Sequence, residues 1–298
     1  MQEIINFFIY DTFKIIVLLF TTVFFVTLIR TYLPINKVKH ILTGKNVFVG
    51  HILASMFGII TPFCSCSAVP LFIGFLEAGI PLGVTFSFLI ASPMINEVAL
   101  GLLFASFGWK IALIYVVFGL IISIVSGLII GKFKTDNLID KDFQICSCNK
   151  NKIDLSILPL KQKIIFSLKY GLKIVKKVWL YIVFAVAIGA IIHGYIPDNY
   201  LAQYLGSDNI FAVPLAIFFG IPLYSNAAGV IPVVSALVEK GVALGTALAF
   251  MMSVTALSLP EFMILKRVMK VKLIAIFAGV VGLGILGVGY LLNIFVRF

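Results

Sequence analysis

Residues 61 to 70 read TPFCSCSAVP, two cysteines and two serines held between prolines within a run otherwise rich in Ile, Leu, Phe and Val. Cys64 and Cys66 are suited to act as soft ligands for a thiophile such as trivalent arsenic, or to be attacked by a sulfur compound, while Ser65 and Ser67 offer hydroxyl contacts. Free cysteines also serve as small buried packing residues. Both readings stand on these residues alone.

A second polar set follows. SFLIASPMINEVAL at 87 to 100 holds Ser92, Asn96 and Glu97, and MMSVTALSLPEFM at 251 to 263 holds Ser258 and Glu261. A carboxylate inside an apolar span is costly to keep there and serves as a proton carrier or cation ligand. Glu97 lies about ten residues from its segment's end, so it is expected to be embedded and to bind or couple. Glu261 stands only five residues before Lys266 and is expected to reach the interface. His40, His51 and His193 are scattered among segment ends and read as interfacial hydrogen bonders, with no metal cluster.

The elements that position these groups follow from composition. With 61% hydrophobic and 12% charged residues, a water-soluble core and shell is excluded and a polytopic membrane protein is expected. Apolar segments fall at 9 to 29, 47 to 76, 80 to 106, 109 to 131, 170 to 193, 209 to 238, 242 to 265 and 273 to 296. The first carries Glu3, Asp11 and Lys14 with no basic leader, and so reads as a transmembrane helix, not a signal peptide. The net charge of +11 resides in the links between segments, which accounts for it by topology and anionic lipid; nucleic-acid binding is not expected. Cys64/Cys66 and Cys146/Cys148 are Cys-Ser-Cys pairs, too tight for an unstrained disulfide and without a zinc pattern.

The chain divides into a first membrane repeat at 1 to 131, a basic linker at 132 to 168 and a second repeat at 169 to 298. PLFIGFLEAGIPLGVTFSF at 70 to 88 matches PVVSALVEKGVALGTALAF at 232 to 250 with an offset of 162, keeping Pro70, Glu77, Gly79, Leu82, Gly83 and Phe88 opposite Pro232, Glu239, Gly241, Leu244, Gly245 and Phe250. The cysteine stretch therefore has a twin that contains Tyr224, Ser225 and Asn226. Internal duplication is a common transporter architecture.

Orientation follows from the basic residues. If every segment crossed, Arg30, Lys37, Lys39, Lys45, Lys266, Arg267, Lys270 and Lys272 would lie opposite the linker. If 47 to 76 and 209 to 238 are re-entrant hairpins, all of these join the linker in the cytoplasm. The expected fold is thus an all-α inverted duplication in the cell (inner) membrane, each half having three transmembrane helices plus one broken helical hairpin. Pro62 and Pro222 would end the first arms, Ser65 or Ser67 and Ser225 or Asn226 would cap the second arms, and Pro70 would sit in a first helical turn. Helix N-termini converging from both hairpins would bind an anion without a buried lysine.

The stretches TPFCSCSAVPLFIGFLEAGIPLG and SFLIASPMINEVAL closely resemble the signature of the bacterial and archaeal predicted-permease family that includes the organoarsenical efflux permeases. GIPLYSNAAGVIPVVSALVEKGVALGTALAFMMSVTALSLPE resembles that family's second repeat. The resemblance covers about residues 5 to 296 and implies a polytopic inner-membrane permease, some members exporting trivalent arsenicals. The pair Cys146 and Cys148 is outside the signature.

The expected function is a secondary permease moving a small anionic or thiophilic solute (oxyanion, sulfur compound or organoarsenical) by alternating access, with possible proton or sodium coupling and no cofactor. No Walker sequence accompanies it. The rival readings are a membrane-embedded thiol oxidoreductase, which would need a resolving cysteine or a redox cofactor site, and a channel.

Overall fold

The computed structural model describes residues 46–61, 65–77, 79–133, 159–169, 211–223, 227–266 and 269–295, with isolated positions between 12 and 28 and between 171 and 183. The linker cysteines Cys146 and Cys148, the basic stretch at 29–45, and His40 and His193 lie outside the described residues.

The described residues form helices and no strand. The first half includes α1 (Val47–Ile60), α2 (Ser65–Glu77), α3 (Leu82–Met94), α4 (Glu97–Phe107) and α5 (Trp109–Lys132). The second includes α6 (Ala212–Gly220), α7 (Ala227–Glu239), α8 (Leu244–Ala256), α9 (Leu259–Leu265) and α10 (Val271–Phe295). Four helix starts recur in register, since 65 and 227, 82 and 244, 97 and 259, and 109 and 271 each differ by 162. Gly79 and Gly241, at the turns before α3 and α8, share a left-handed backbone with φ of 77° and 87°. Only glycine adopts that conformation cheaply, so the turn fixes both repeats at one residue.

Three stretches among the described residues, Trp109–Lys132, Leu244–Met263 (α8 continued through its break into α9) and Val271–Ile294, are long and apolar enough to cross a membrane. The bent pair formed by α3 and α4, broken by 47°, makes a fourth if taken as one span. This is a polytopic, all-helical membrane architecture.

The core is built on α3 and α8. Every residue of α3 from Gly83 to Met94 is buried, and so is all of α8. Protein covers both helices all round, including the hydroxyl groups of Ser87, Ser92, Ser253 and Thr255. α3 is flanked by α1, α2 and α5, and α8 by α6, α7 and α10. Small residues allow the closest approaches: a Cβ on Gly83 would lie 2.6 Å from the Gly127 carbonyl oxygen, and one on Gly245 would collide with the Gly289 carbonyl. Packing of this kind holds helices together where hydrophobic burial cannot discriminate protein from lipid.

The halves meet in a reciprocal pattern. α2 packs on α9 while α4 packs on α7, and α3 meets α8 while α5 meets α10. Equivalent elements exchange partners, which is how an approximate two-fold relation acts on an interface. Ile122 of α5 packs against Gly284 of α10, and these two positions also differ by 162. Both lie near the middle of their helices.

Candidate functional site

The 47 to 76 segment is two helices with a break. Thr61 has the extended conformation that a following proline imposes, and its hydroxyl donates to the Phe57 and Gly58 carbonyls at 2.9 and 3.0 Å, satisfying groups left free at the end of α1. Cys64, Tyr224, Ser225 and Asn226 lie outside the described residues. Ser65, Cys66 and Ser67 form the first turn of α2. The helix thus opens at Ser65, so the residues immediately before α2 and α7 are Cys64 and Asn226, and Ser67 falls inside the helix instead of capping it. Pro232 is likewise internal to α7, sixth from its start, as Pro70 is in α2. The expectation of a first-turn proline fails because both helices begin a turn earlier; each proline leaves one carbonyl of the opening turn without its helical donor.

Two further breaks interrupt the buried helices. α3 stops at Met94, one residue after Pro93, and Asn96 starts α4 by accepting from the Ala99 amide at 2.7 Å. This is a conventional N-cap. α8 stops at Ala256, and beyond it the Leu259 amide donates to the Ile221 carbonyl at 3.0 Å. That bond joins the second break to the end of the α6 arm.

The breaks and arm ends lie at one level. A Cβ on Gly58, near the end of α1, would lie 3.1 Å from the Ala91 side chain and from the Ser92 amide, near the end of α3; one on Gly220 would meet Ser253, near the end of α8. Ile95 reaches Gly119 of α5, and Leu257 faces Gly282, near the middle of α10. Tyr115 lies at the first break: fully buried, its hydroxyl donates to the Met94 carbonyl at 2.8 Å.

Ser92 and Ser258 are buried at these breaks, and Asn96 is half-buried. Glu261 is 1% exposed, whereas the Glu97 side chain is exposed on the protein surface. α9, which carries Glu261, packs on α2 of the other half.

His51 is buried within the protein, and its Nδ1 bonds the Ser87 hydroxyl at 2.7 Å. Ser87 donates to the Ser123 carbonyl at 3.1 Å, and the Ser123 hydroxyl bonds Ser55 at 3.0 Å. Neither this ladder nor Tyr115 is visible in local spacing; the only signal is a polar residue in an otherwise aliphatic helix. Among the described residues, no group of three His, Cys, Asp or Glu side chains could hold a metal ion.

A model of the ArsP_1 predicted-permease family matches residues 1–294. The chain belongs to this family. Its permease relatives span bacteria and archaea. A UPF0718 protein of Methanocaldococcus jannaschii is 25% identical, with 88% of each chain covered. A Streptococcus mutans protein, provisionally described as a subunit of a two-component membrane permease complex, is 27% identical over 85% of this chain and 79% of its own. The UPF0718 protein YraQ of Escherichia coli is 24% identical over 83% of this chain and 68% of its own. No solved structure matches. Membership points to a membrane transporter and away from an enzyme.

Proposed function

We propose that the chain is a secondary permease that carries a small anionic or thiophilic solute through a site between the two hairpin tips by alternating access. The observation that carries this reading is the convergence of four interruptions, two arm ends and two helix breaks, beside the middle of the long helices, with Tyr115 bonded at the first break. Interrupted backbone at membrane depth is tolerated where protein or a polar cavity supplies partners. Discontinuous helices at mid-membrane are where transporters bind their solutes.

The two halves are, in this reading, inverted with respect to each other. α5 runs antiparallel to α3, since Gly83 lies by Gly127 and Ile95 by Gly119. Phe86 is therefore roughly level with residue 124 of α5, and it packs on Phe277 of α10 with ring centroids 5.7 Å apart. With α5 and α10 antiparallel about Ile122 and Gly284, those two rings start roughly 7 Å apart along the helix axis; with them parallel the gap is roughly 13 Å. Inversion also gathers Lys266, Lys270, Lys272 and the linker on one face, the cytoplasmic one, as a basic-inside topology requires.

The solute is bound by the opening turns of α2 and α7, whose N-terminal amides and dipoles favour negative charge. Cys64, Cys66, Ser65 and Ser67 contribute from one side and Tyr224, Ser225 and Asn226 from the other. Ser92, Asn96, Glu97, Ser258 and Glu261 line the breaks as binding or coupling groups. The test is counterflow of labelled thiosulfate and of phenylarsenite in proteoliposomes: saturable exchange is expected, and non-saturable flux would replace the carrier by a channel.

A further inference from the structure

The His51 ladder lies away from the proposed solute site. His51 is level with Gly83 and Gly127, against both of which it packs, five residues from the Lys132 end of α5. That places it roughly 8 Å below the linker end of the helix. The serine hydroxyl has one hydrogen, and Ser87 directs it to the Ser123 carbonyl. Both contacts are satisfied together when Nδ1–H donates the 2.7 Å bond to the Ser87 oxygen. That neutral tautomer leaves Nε2 as a basic nitrogen with no hydrogen bond from a described residue.

Among the described residues of the helices packed on α1, none would hold a permanent imidazolium. α1 has no other ionisable side chain and α3 has none. α5 has Lys110 and Lys132, both exposed at its ends, and Tyr115, which is engaged with Met94. No carboxylate faces the ring from these helices. A proton on Nε2 thus creates a charge without a counter-ion among the described residues of α1, α3 and α5.

We propose that His51 is a proton-binding site on the linker side of the first half, whose occupancy controls the arm α1 that leads to the cysteine tip. Neutral His51 holds α1 against α3 and α5 through the serine ladder. Proton transfer from linker-side water to Nε2 weakens that packing and frees the arm to move, and the proton returns to water when the arm re-docks. The control of transport rests on the permease reading; the proton site does not.

Two measurements test it. In nanodiscs, with His40 and His193 replaced, 15N spectra of His51 should show an Nδ1–H neutral ring that gains a proton at Nε2 between roughly pH 4 and 9, a window around the ordinary imidazole value of about 6.5. A ring that stays neutral throughout overturns the site. In proteoliposomes, thiosulfate counterflow at equal pH on both sides should rise several-fold on acidification, and His51→Gln, whose amide can still donate to Ser87, should flatten that profile. An unchanged profile in His51→Gln overturns the control role. If the unaltered protein exchanges neither thiosulfate nor phenylarsenite, the permease reading fails, and the spectra alone decide the proton site.

Discussion

The first half ties its central helices together with His51, Ser55, Ser87 and Ser123, all buried. At the corresponding positions, 162 residues on, the second half has Val213, Ile217, Ala249 and Ile285, also buried. Polar contact there is made elsewhere: the Ser253 hydroxyl donates to the Ile217 carbonyl at 2.9 Å, and the Asn293 amide donates to Thr246 at 3.0 Å. The glycine contacts that set helix spacing are common to both halves, while the polar contacts are not. A duplicated scaffold therefore fixes backbone geometry twice and leaves each half free to acquire its own chemistry. Only the first half places an ionisable ring in its ladder.

The shared feature predicts the largest effect. Gly83→Leu and Gly245→Leu should each cost upward of about 3 kcal/mol, the upper range for overpacking, because the new side chain meets backbone that cannot move aside. Loss of the folded peak in detergent size-exclusion should accompany both. A variant of one half that folds normally would break the equivalence of the repeats.

Tyr115 sharpens the comparison next, since the residue 162 positions later is Phe277, which packs on Phe86 and Phe262. Tyr115→Phe gives the first half the chemistry of the second and removes the bond to the Met94 carbonyl at the first break. Counterflow should fall roughly tenfold while the melting temperature changes little, the signature of a lost positioning contact. Equal flux would mean that the first break needs no such bond. Ser123→Ala and Asn293→Leu should destabilise their respective halves by about 0.6 to 2 kcal/mol, the range of hydrogen bonds between membrane helices, read by thermal unfolding.

Sequence carries the repeat because glycine and proline constraints recur at a constant spacing: Gly79 and Gly241 serve one turn, Gly83 and Gly245 one contact. It carries the break in α3 as well, because Pro93 and Asn96 are local signals of a helix end and a helix start. Burial is a different matter. His51 bonds a serine 36 residues away, and Tyr115 bonds a carbonyl 21 residues back, so neither partner lies in any local window. The burial of Glu261 is no more local, since its helix α9 packs on α2 of the other half. Glu261→Gln should therefore reduce counterflow more than Glu97→Gln, and the reverse order would restore the reading by chain distance.

The smallest effect is expected at the feature with the most conspicuous chemistry. By the offset of 162, Cys64 and Cys66 correspond to Asn226 and Ala228, so the second tip presents no thiol at either position. If both tips bind the solute through backbone amides at the openings of α2 and α7, sulfur is dispensable for an anion. Replacing both cysteines by serine should leave thiosulfate counterflow within about twofold, because serine keeps the size and the hydrogen-bonding capacity of the side chain. Phenylarsenite is different: a trivalent arsenical exchanges ligands with thiolates and gains little from a hydroxyl. Its flux should fall much further in the same variant. Parallel loss of both solutes would make the first tip a thiolate site outright, and the two halves would then differ in how they bind as well as in how they are held together.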